Sequence, residues 1–389
     1  MLRENLSKGF ERAILHLDLD AFFASVECLR NRALKDKPLL IGGTSGRGVV
    51  ASCSYEARRY GIHAAMPMKM ALRLCPDAIV LRGDMEVYTK VSKLITEIVS
   101  SEVPLFEKAS IDEFYADLSG MDRYHGCWKW SQELRQKIIR ESGLPISIGL
   151  SINKLVSKVG AGEAKPNGAQ LVESGTEKAF LGPLPVRKLP AVGKVTTKKL
   201  QLMGVQTVHT LSEIPPRLLE REFGKMGYAL WQKANGIDRS LVVPHTEQKS
   251  MSTERTFQVD TINMRQLKGV LTNMLTRLAF DLRHKKQLTS CVTVKIRYTD
   301  FNTYTKQRKV AYTANESILL EQVLGLFEQL YQRRQLIRLV GIRFSGLVHG
   351  HTQMHLFDDS TKDHQLQQAM DRVRGRFGTQ LIGRGSSFY

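Results

Sequence analysis

Two aspartates at the end of a short apolar segment are the residues in this sequence best suited to chemistry. In Ile14–Asp20, leucines alternate with His16, Asp18 and Asp20, which predicts a half-buried strand with these polar residues on one face. Carboxylates held close together repel each other, and burying them without a partner costs several kcal/mol. A divalent cation such as Mg²⁺ relieves that repulsion and completes its shell with water and phosphate oxygens. Solvated acids at a strand end, or a helix cap, would explain the same residues equally well.

A second acidic cluster lies far along the chain, in Ser110–Asp117. If the fold brings Asp112 and Glu113 to Asp18, the three carboxylates suit a site for two metal ions about 3.5–4 Å apart. Neighbouring residues of a strand face opposite sides, so Asp112 and Glu113 can act together only where a strand begins beside a turn. We predict that turn downstream of Pro104.

The elements that must position these acids follow from the periodicity of the first half of the chain. Strands are predicted at Pro38–Ile41, Gly48–Ser52, Phe106–Leu118 and Pro145–Ser151, and helices at Phe22–Arg30, Ser54–Tyr60, Met68–Leu74, Met85–Ser100 and Trp128–Glu141. The long helix Met85–Ser100 has an apolar stripe, which comprises Val87, Val91, Leu94, Ile95 and Ile98. A mixed sheet with helices on a face follows, which is a fold of the α+β class.

The second half of the chain has a different pattern of predicted elements. Short helices broken by Gly and Pro begin at Gly182, and Gly236–His245 has the composition of an extended connector. A second α/β unit follows, with helices at Met264–Lys285 and Ile318–Tyr331 and strands at Cys291–Tyr298, Lys306–Tyr312 and Ile337–Ser345. A polar tail comes last and contains a helical pattern at Asp363–Phe377.

The charge is unevenly distributed over the 389 residues. Of the net charge of +19, residues 1–175 carry +3, residues 176–350 carry +15 and the remaining tail carries +1. A basic rear half combined with an acidic pocket at the front suits a nucleic-acid backbone better than a small ligand, although basic faces are often simply solvated. The length predicts two to four domains, and no apolar run reaches the roughly 20 residues of a membrane helix. Five scattered cysteines and a polar N-terminal segment indicate a cytosolic protein with reduced thiols and no membrane partner.

Five segments occur in the order and spacing found in Y-family translesion DNA polymerases, most like the bacterial DinB-like branch. They are His16–Glu27, Tyr55–Gly61, Ser110–Glu113, Lys165–Gly168 and Leu189–Gly193, and the resemblance covers about residues 11–350. It implies a right-hand polymerase fold of palm, fingers and thumb with an additional C-terminal α/β little-finger domain. The corresponding ranges are the palm at 1–21 and 77–175, the fingers at 22–76, the thumb at 176–240, a linker at 241–248, the little finger at 249–350 and a tail at 351–389.

The resemblance also implies roles for individual residues. Asp18, Asp112 and Glu113 would be the catalytic carboxylates that bind two Mg²⁺ ions, with the backbone carbonyl of Leu19 as a further ligand. Phe23 would be the steric gate against ribonucleotides. Its neighbour Phe22 would belong either to the nucleotide site or to the core. The remaining nucleotide-binding residues would be Tyr55, Arg58 and Lys165 at the triphosphate, and Ala51 and Ser52 over the templating base pair.

Contacts to DNA are expected in the thumb and in the little finger. Leu189–Leu200 resembles a helix-hairpin-helix in which Val192, Gly193, Lys194 and Lys198 contact a phosphate, although the family usually has Gly where this chain has Ala191. Phe223–Gly227 resembles a weaker second copy. The alternation of Thr293–Asp300 places Lys295, Arg297 and Thr299 on one polar face, which together with Lys306 would line a DNA groove.

A short peptide in the tail resembles the segment with which bacterial polymerases bind the replication sliding clamp. It begins with Gln353, and its apolar residues are Met354, Leu356 and Phe357. The whole resemblance implies a monomeric, low-fidelity, template-directed DNA polymerase that acts on primer-template DNA and dNTPs in translesion synthesis. A non-catalytic DNA- and clamp-binding adaptor of the same fold is the alternative, but it would be marked by loss of the carboxylates. A two-metal nuclease has similar acids, but that function would not explain the triphosphate-binding residues Tyr55, Arg58 and Lys165 or the steric gate Phe23.

Overall fold

A five-stranded sheet lies at the centre of the first of two units, Met1–Thr246 and Glu247–Tyr389. The computed structural model describes residues 12–121, 126–244, 246–350, 360–378, 382–383 and 385. The sheet has the order β5-β6-β1-β7-β8, with only β7 and β8 parallel among these neighbours. Its strands are β1 at Ile14–Leu19, β5 at Phe106–Lys108, β6 at Glu113–Asp117, β7 at Ile146–Ser151 and β8 at Ala169–Leu171.

The prediction of one strand over Phe106–Leu118 is wrong, because this segment folds back on itself. β5 and β6 pair antiparallel, and the turn between them is closed by the Ala109 amide, which donates to the Glu113 carbonyl at 3.0 Å. The Ser110 hydroxyl also accepts from the Glu113 amide at 3.0 Å. The predicted turn downstream of Pro104 is therefore confirmed, and it places Asp112 immediately before the first residue of β6.

Three helices belong to this sheet: α4 at Met85–Glu102, α5 at Cys127–Ser142 and α6 at Lys154–Glu163. α6 was not predicted from the sequence, and it is capped by the Asn153 side chain, which accepts from the Val156 amide at 2.9 Å. It packs so closely on β7 that a Cβ atom at Gly149 would lie 2.1 Å from the Ser157 carbonyl. The stripe predicted on α4 is partly wrong: Leu94 is 44% exposed, while Tyr88 is fully buried.

A smaller layer follows β1 in the chain. The helix α1 at Phe22–Arg30 leads into a three-stranded sheet of order β3-β2-β4, which carries two short helices. The elements are β2 at Leu39–Gly42, β3 at Val50–Cys53, β4 at Ile79–Leu81, α2 at Tyr55–Arg58 and α3 at Met68–Leu74. Leu40, Val50 and Ala71 form part of a separate small core for this layer.

The last part of the first unit is helical. It consists of α7 at Glu177–Leu181, α8 at Lys194–Leu202, α9 at Val208–Glu213, α10 at Pro216–Phe223 and α11 at Lys225–Ala234. Leu200, Leu219 and Leu230 lie in their common core. The chain then returns to α6, where the Leu155 amide donates to the Asp238 carboxylate at 3.0 Å. The connector is thereby attached to the unit that contains β1.

The second unit contains a four-stranded antiparallel sheet of order β11-β10-β12-β9. Its elements are β9 at Ser250–Thr261, β10 at Gln287–Tyr298, β11 at Thr303–Thr313 and β12 at Ile337–His349, with α12 at Met264–His284, α13 at Glu316–Leu330 and α14 at Ser360–Phe377. Val292, Val294 and Ile296 of β10 are buried in the core against α12 and α13. The alternation predicted for this strand is confirmed.

A buried ionic network attaches α14 to this unit. The Arg374 side chain, 1% exposed, donates to Glu316 at 3.2 Å, and Glu316 belongs to the first turn of α13. Arg283 of α12 forms a two-point contact with Asp371 at 2.6 and 2.9 Å. Because α14 is predominantly polar, these charged contacts supply the packing that an apolar face provides in other helices.

Candidate active site

Asp18 and Glu113 stand directly opposite each other on β1 and β6. Their side chains are 14% and 25% exposed, and each is paired with a lysine. The lysine beside Glu113 lies in α6, and the lysine beside Asp18 lies in the loop that follows α6. Lys165 Nζ lies 2.5 Å from Asp18 Oδ1, and Lys158 Nζ contacts Glu113 Oε2. Burial raises the pKa of Asp18 to about 6, although Lys165 acts in the opposite direction. The strand pairing thus concentrates negative charge that cations must neutralise.

Asp112 belongs to the same site through its backbone. Its carbonyl accepts from the Leu19 amide at 3.0 Å, which fixes the end of β1 against the turn before β6. Its carboxylate accepts from the Ser110 hydroxyl at 2.5 Å, and its negative charge contributes to the raised pKa of Asp18. The structure therefore brings Asp18, Leu19, Asp112 and Glu113 to one end of the central sheet.

His16, which the alternation of β1 places on the same face as Asp18, is a neighbour of this cluster to which the sequence assigned no role. One ring nitrogen and one carboxylate oxygen each from Asp18 and Glu113 all lie within 4.8 Å of one another. The ring is fully buried and packs on Tyr115 with centroids 4.5 Å apart. Burial, reinforced by Lys158 and Lys165, lowers the pKa of His16 well below its usual value, so the imidazole is neutral.

Asp20 is neither exposed nor a helix cap, and it joins three distant segments. Its fully buried carboxylate accepts from the Tyr55 hydroxyl at 3.1 Å, from the Ser147 hydroxyl at 2.7 Å and from the Asn167 amide at 2.7 Å. The sequence left this aspartate open between a metal ligand, a cap and a solvated acid. The hydrogen bonds give it a positioning role, because they hold the start of α2 and the loop after Lys165 beside β1.

The predicted triphosphate donors gather around these two aspartates. Lys165 bridges Asp18 and Asp20, its Nζ lying 3.8 Å from Asp20 Oδ1. Tyr55 bonds to Asp20, and the Arg58 guanidinium lies 4.6 Å from the centre of the Tyr55 ring. Ala51, which is exposed, and Ser52, which is partly exposed, lie on β3 immediately before α2. A flexible ammonium and a planar guanidinium, two groups that can bind phosphate, thus lie close to the carboxylates.

Phe23 occupies the start of α1 and is supported from behind. Its ring stacks on Tyr88 at 4.4 Å with an interplanar angle of 12°. Tyr88 in turn donates to Glu27 at 2.7 Å, and burial together with this bond raises the pKa of Tyr88 to about 12. Phe23 is only partly buried, whereas Phe22 is 3% exposed and belongs to the core. The pair therefore divides into an accessible ring and a structural one.

The hairpin before α8 accommodates the alanine at position 191. Ala191 adopts a left-handed conformation with φ of 67°, which costs a residue with a Cβ atom about 1–2 kcal/mol. Gly193 is the N-cap of α8, with Val192 buried behind it and Lys194 and Lys198 exposed. The free amides of this first turn and the two lysines form an electropositive surface suited to a phosphate.

The open face of the second sheet differs from the predicted one in one residue. Lys295 and Arg297 lie on it as expected, and Thr299, just beyond β10, donates to Asp260 at 2.8 Å. Lys306, however, stands opposite Val294 in the register, and directly opposed residues of antiparallel strands share a face. Lys306 therefore belongs to the face covered by helices. Arg343, opposite Thr293 and exposed, takes its place on the open face.

The predicted clamp-binding residues Gln353, Met354, Leu356 and Phe357 lie outside the described residues. Within the described part of the chain, no helix is both long and apolar enough to cross a membrane.

Family models match three parts of the chain. Residues 17–162 match the impB/mucB/samB family, residues 248–356 match the C-terminal domain of that family, and residues 187–238 match the thumb domain of DNA polymerase iota. The matched ranges include the carboxylates with most of their sheet, the helical segment with the hairpin, and the four-stranded sheet of the second unit.

Curated relatives extend over almost the whole chain. The DNA polymerase IV of Dehalococcoides mccartyi (strain CBDB1) is 34% identical over 381 residues, which cover 97% of this chain and 98% of that protein. The DNA polymerase IV of Listeria innocua is 37% identical over 339 residues, covering 86% of this chain and 95% of that protein.

Solved structures share the fold. A Y-family DNA polymerase chimera of Dbh and Dpo4 superposes with a TM-score of 0.77 at 23% identity, and an insertion ternary complex of Dbh DNA polymerase with a TM-score of 0.62 at 25% identity. Both comparisons cover 87% of this chain and 100% of the other. The mixed α+β fold shared with these structures, together with the polymerase relatives, places the chain in the class of template-directed nucleic-acid polymerases.

Within that class, the chain belongs to the Y family of DNA polymerases, and its curated relatives are DNA polymerases IV. It is a DNA-directed DNA polymerase of translesion synthesis that binds DNA and dNTPs and depends on metal ions. The non-catalytic adaptor is not favoured.

Proposed function

We propose that the polymerase carries out nucleotidyl transfer with two Mg²⁺ ions held by Asp18, Asp112 and Glu113, with the Leu19 carbonyl as a further ligand. The observation that carries this proposal is the direct pairing of Asp18 with Glu113, each already neutralised by a lysine. Several carboxylate and carbonyl oxygens close together are the ligands that Mg²⁺ prefers. When bound, the two ions lower the pKa of the primer 3′-hydroxyl and neutralise charge on the phosphates.

The chain's own residues would position the nucleotide. Lys165 and Arg58 supply positive charge, and Tyr55 supplies a neutral donor, to the triphosphate. Burial and the nearby Asp20 raise the pKa of Tyr55, so its hydroxyl stays protonated and donates at physiological pH. Phe23 would form the wall against a 2′-hydroxyl. The small residues Ala51 and Ser52 would leave room over the templating base for damaged or distorted bases, which reduces the fidelity of copying.

DNA would be held through its phosphates rather than its base edges. The hairpin of Val192, Gly193, Lys194 and Lys198 binds one phosphate, and the open face of the second sheet binds others through Lys295, Arg297 and Thr299. Arg343 joins this group in place of Lys306 because of the register. In this scheme residues 1–21 and 77–175 act as palm, 22–76 as fingers, 176–240 as thumb and 249–350 as little finger, with a linker at 241–248.

The peptide Gln353–Phe357 would bind the replication sliding clamp by inserting its apolar side chains into a groove. The enzyme would act as a monomer in the cytoplasm. Free thiols at Cys28, Cys53, Cys75 and Cys291 are consistent with a reducing compartment.

Replacement of one carboxylate tests the metal assignment. Asp112→Asn should reduce primer extension with Mg²⁺ by about three orders of magnitude, because an amide is a weak ligand and several kcal/mol of charge stabilisation are lost. Affinity for primer-template should change little, since the phosphates are bound elsewhere. Asp117→Asn is the matched control, an acid at the other end of β6 that bonds to Ser119. Undiminished extension by Asp112→Asn would refute the assignment.

A further inference from the structure

His16 is a buried polar side chain whose position the proposed reaction does not use. Its ring is fully buried, and among the described residues neither Nδ1 nor Nε2 has a hydrogen-bond partner. The Phe114 backbone comes near the ring without forming a bond of normal geometry. An unpartnered imidazole normally costs about 1–3 kcal/mol in a folded protein, so such a residue calls for an explanation.

The ring points towards the two carboxylates that face each other across β1 and β6. A nitrogen of His16 and one oxygen each from Asp18 and Glu113 lie within 4.8 Å of one another. Tetrahedral zinc at its usual bond lengths holds ligand atoms about 3.4 Å apart, so modest side-chain rotations would bring these three atoms to one ion. The Tyr115 ring, 4.5 Å from His16, limits the orientation of the imidazole.

We propose that His16, Asp18 and Glu113 form a site for a zinc-class transition-metal ion that inhibits the polymerase. One imidazole nitrogen with two carboxylate oxygens is a donor set suited to Zn²⁺ or Co²⁺, whereas Mg²⁺ prefers oxygen donors alone. The fourth position would be open to water. An ion held by His16 uses both carboxylates and excludes the Mg²⁺ arrangement with Asp112.

The neighbouring charges allow this exchange. Lys165 and Lys158 neutralise the two carboxylates in the structure, and both side chains are partly exposed, at 23% and 33%. A dication that replaces the two ammonium groups keeps the cluster near neutrality, and the released lysines can reach solvent. The same exchange is required of Mg²⁺, so the difference between the two kinds of ion lies in the nitrogen ligand.

Metal binding by this triad stands on the geometry alone, while its inhibitory effect rests on the proposed roles of Asp18 and Glu113. Two readouts separate these claims. The first is a titration of the metal-free full-length chain with Co²⁺, followed by the visible absorption that reports coordination number and nitrogen ligation. Wild-type protein should bind one Co²⁺ with the intense bands of a four- or five-coordinate site.

Variants identify the ligands in that titration. His16→Phe keeps an aromatic ring on Tyr115 but removes the nitrogen, and it should weaken Co²⁺ binding at least about tenfold and abolish the bands. Glu113→Gln, which retains His16, should lose them as well and guards against a folding defect in the first variant. His209→Phe is the matched control, because it removes an exposed imidazole in α9 and should leave the spectrum unchanged.

The second readout is inhibition of extension by Zn²⁺ at fixed millimolar Mg²⁺, with each protein normalised to its own zinc-free rate. The Zn²⁺ concentration for half inhibition should rise at least about tenfold in His16→Phe and stay constant in His209→Phe. Equal Co²⁺ affinity and equal spectra in wild type and His16→Phe would overturn the site. Loss of the bands without any change in zinc inhibition would overturn the inhibitory role. Failure of the proposed function appears separately, as undiminished extension by Asp112→Asn.

Discussion

At the scale of single residues, the ring of Phe23, the proposed steric gate, is supported by its neighbours. Phe23 stacks flat on Tyr88, and the Tyr88 hydroxyl is fixed by Glu27 one helical turn further along α1. A ring held in this way cannot rotate aside at little cost, because its partner is fully buried. Rigidity is what a residue needs if it is to exclude a substrate by a clash.

Removal of the Phe23 ring is the prediction at the residue scale. Phe23→Ala should raise the ratio of ribonucleotide to deoxynucleotide incorporation by about 10² or more, because the clash with the 2′-hydroxyl disappears. Phe23→Tyr is the matched control, which keeps the ring and should keep the selectivity. The ratio is measured by single-nucleotide insertion with each rNTP and dNTP. Continued strict rejection of ribonucleotides by Phe23→Ala would remove Phe23 from this role.

Residues could be predicted from the sequence where the signal was local. Asp18 followed from the alternation of β1, and Glu113 from a compact acidic cluster. Asp20 could not be assigned, because its partners Tyr55, Ser147 and Asn167 come from three distant elements. The same reason explains why the sequence did not reveal the supporting role of Tyr88. Such contacts depend on tertiary packing, which no local pattern contains.

At the scale of elements, turn geometry and strand register account for the main differences from expectation. Phe106–Leu118 has the composition of one long strand, yet Ala109–Asp112 forms a turn in which Ser110 satisfies two backbone amides. Ala191 accepts a left-handed backbone because the hairpin around it is held by packing of Val192 and by the bond from Lys233 to the Pro190 carbonyl at 2.8 Å. In both segments tertiary contacts override local preference.

The register of β10 and β11 leads to the prediction at the element scale. Arg297→Gln with Arg343→Gln removes two charges from the open face, and should weaken primer-template binding about tenfold at physiological salt. It should also lower the slope of log K against log salt by about 2, since each neutralised phosphate contributes about 0.9.

A matched pair on the other face serves as the control. Lys306→Gln with Arg308→Gln removes the same charge from the side on which Arg308 donates to Gln322 of α13 at 2.9 Å. Its effect on affinity should be much smaller than that of the open-face pair. Titrations by fluorescence anisotropy at several salt concentrations measure both quantities. Equal losses in the two pairs would mean that the net charge, and not the face of the sheet, determines DNA binding.

At the scale of the whole molecule, the parts of the chain with different proposed roles also differ in net charge. Residues 1–175, which contain every proposed metal-binding carboxylate, carry 24 basic and 21 acidic side chains, while residues 247–350 carry 17 and 8. A nearly neutral catalytic part can concentrate acids locally, and a basic part can bind phosphates without sequence preference. This division was visible in the sequence, because it depends on composition and not on packing.

The C-terminal helix is the feature of the whole chain that resemblance left unexplained. α14 is part of the second unit, because Arg374 and Asp371 are joined to Glu316 and Arg283 in a buried ionic network. Removing one partner of such a network leaves a buried charge without its counter-charge, which costs about 3–5 kcal/mol. The peptide Gln353–Phe357 consequently lies in sequence between two elements of one unit, β12 and α14.

Clamp-dependent synthesis is the prediction at this scale. Leu356→Ala with Phe357→Ala should abolish the stimulation of synthesis by the sliding clamp and spare clamp-free synthesis, because the apolar anchors of the peptide are lost while the catalytic residues are untouched. Leu366→Ala with Phe377→Ala is the matched control: it removes a leucine and a phenylalanine that are 59% and 58% exposed on α14. Primer extension on long templates, with and without clamp, measures the effect. If the α14 pair loses stimulation and the peptide pair keeps it, the clamp binds this helix and the proposed peptide has another role.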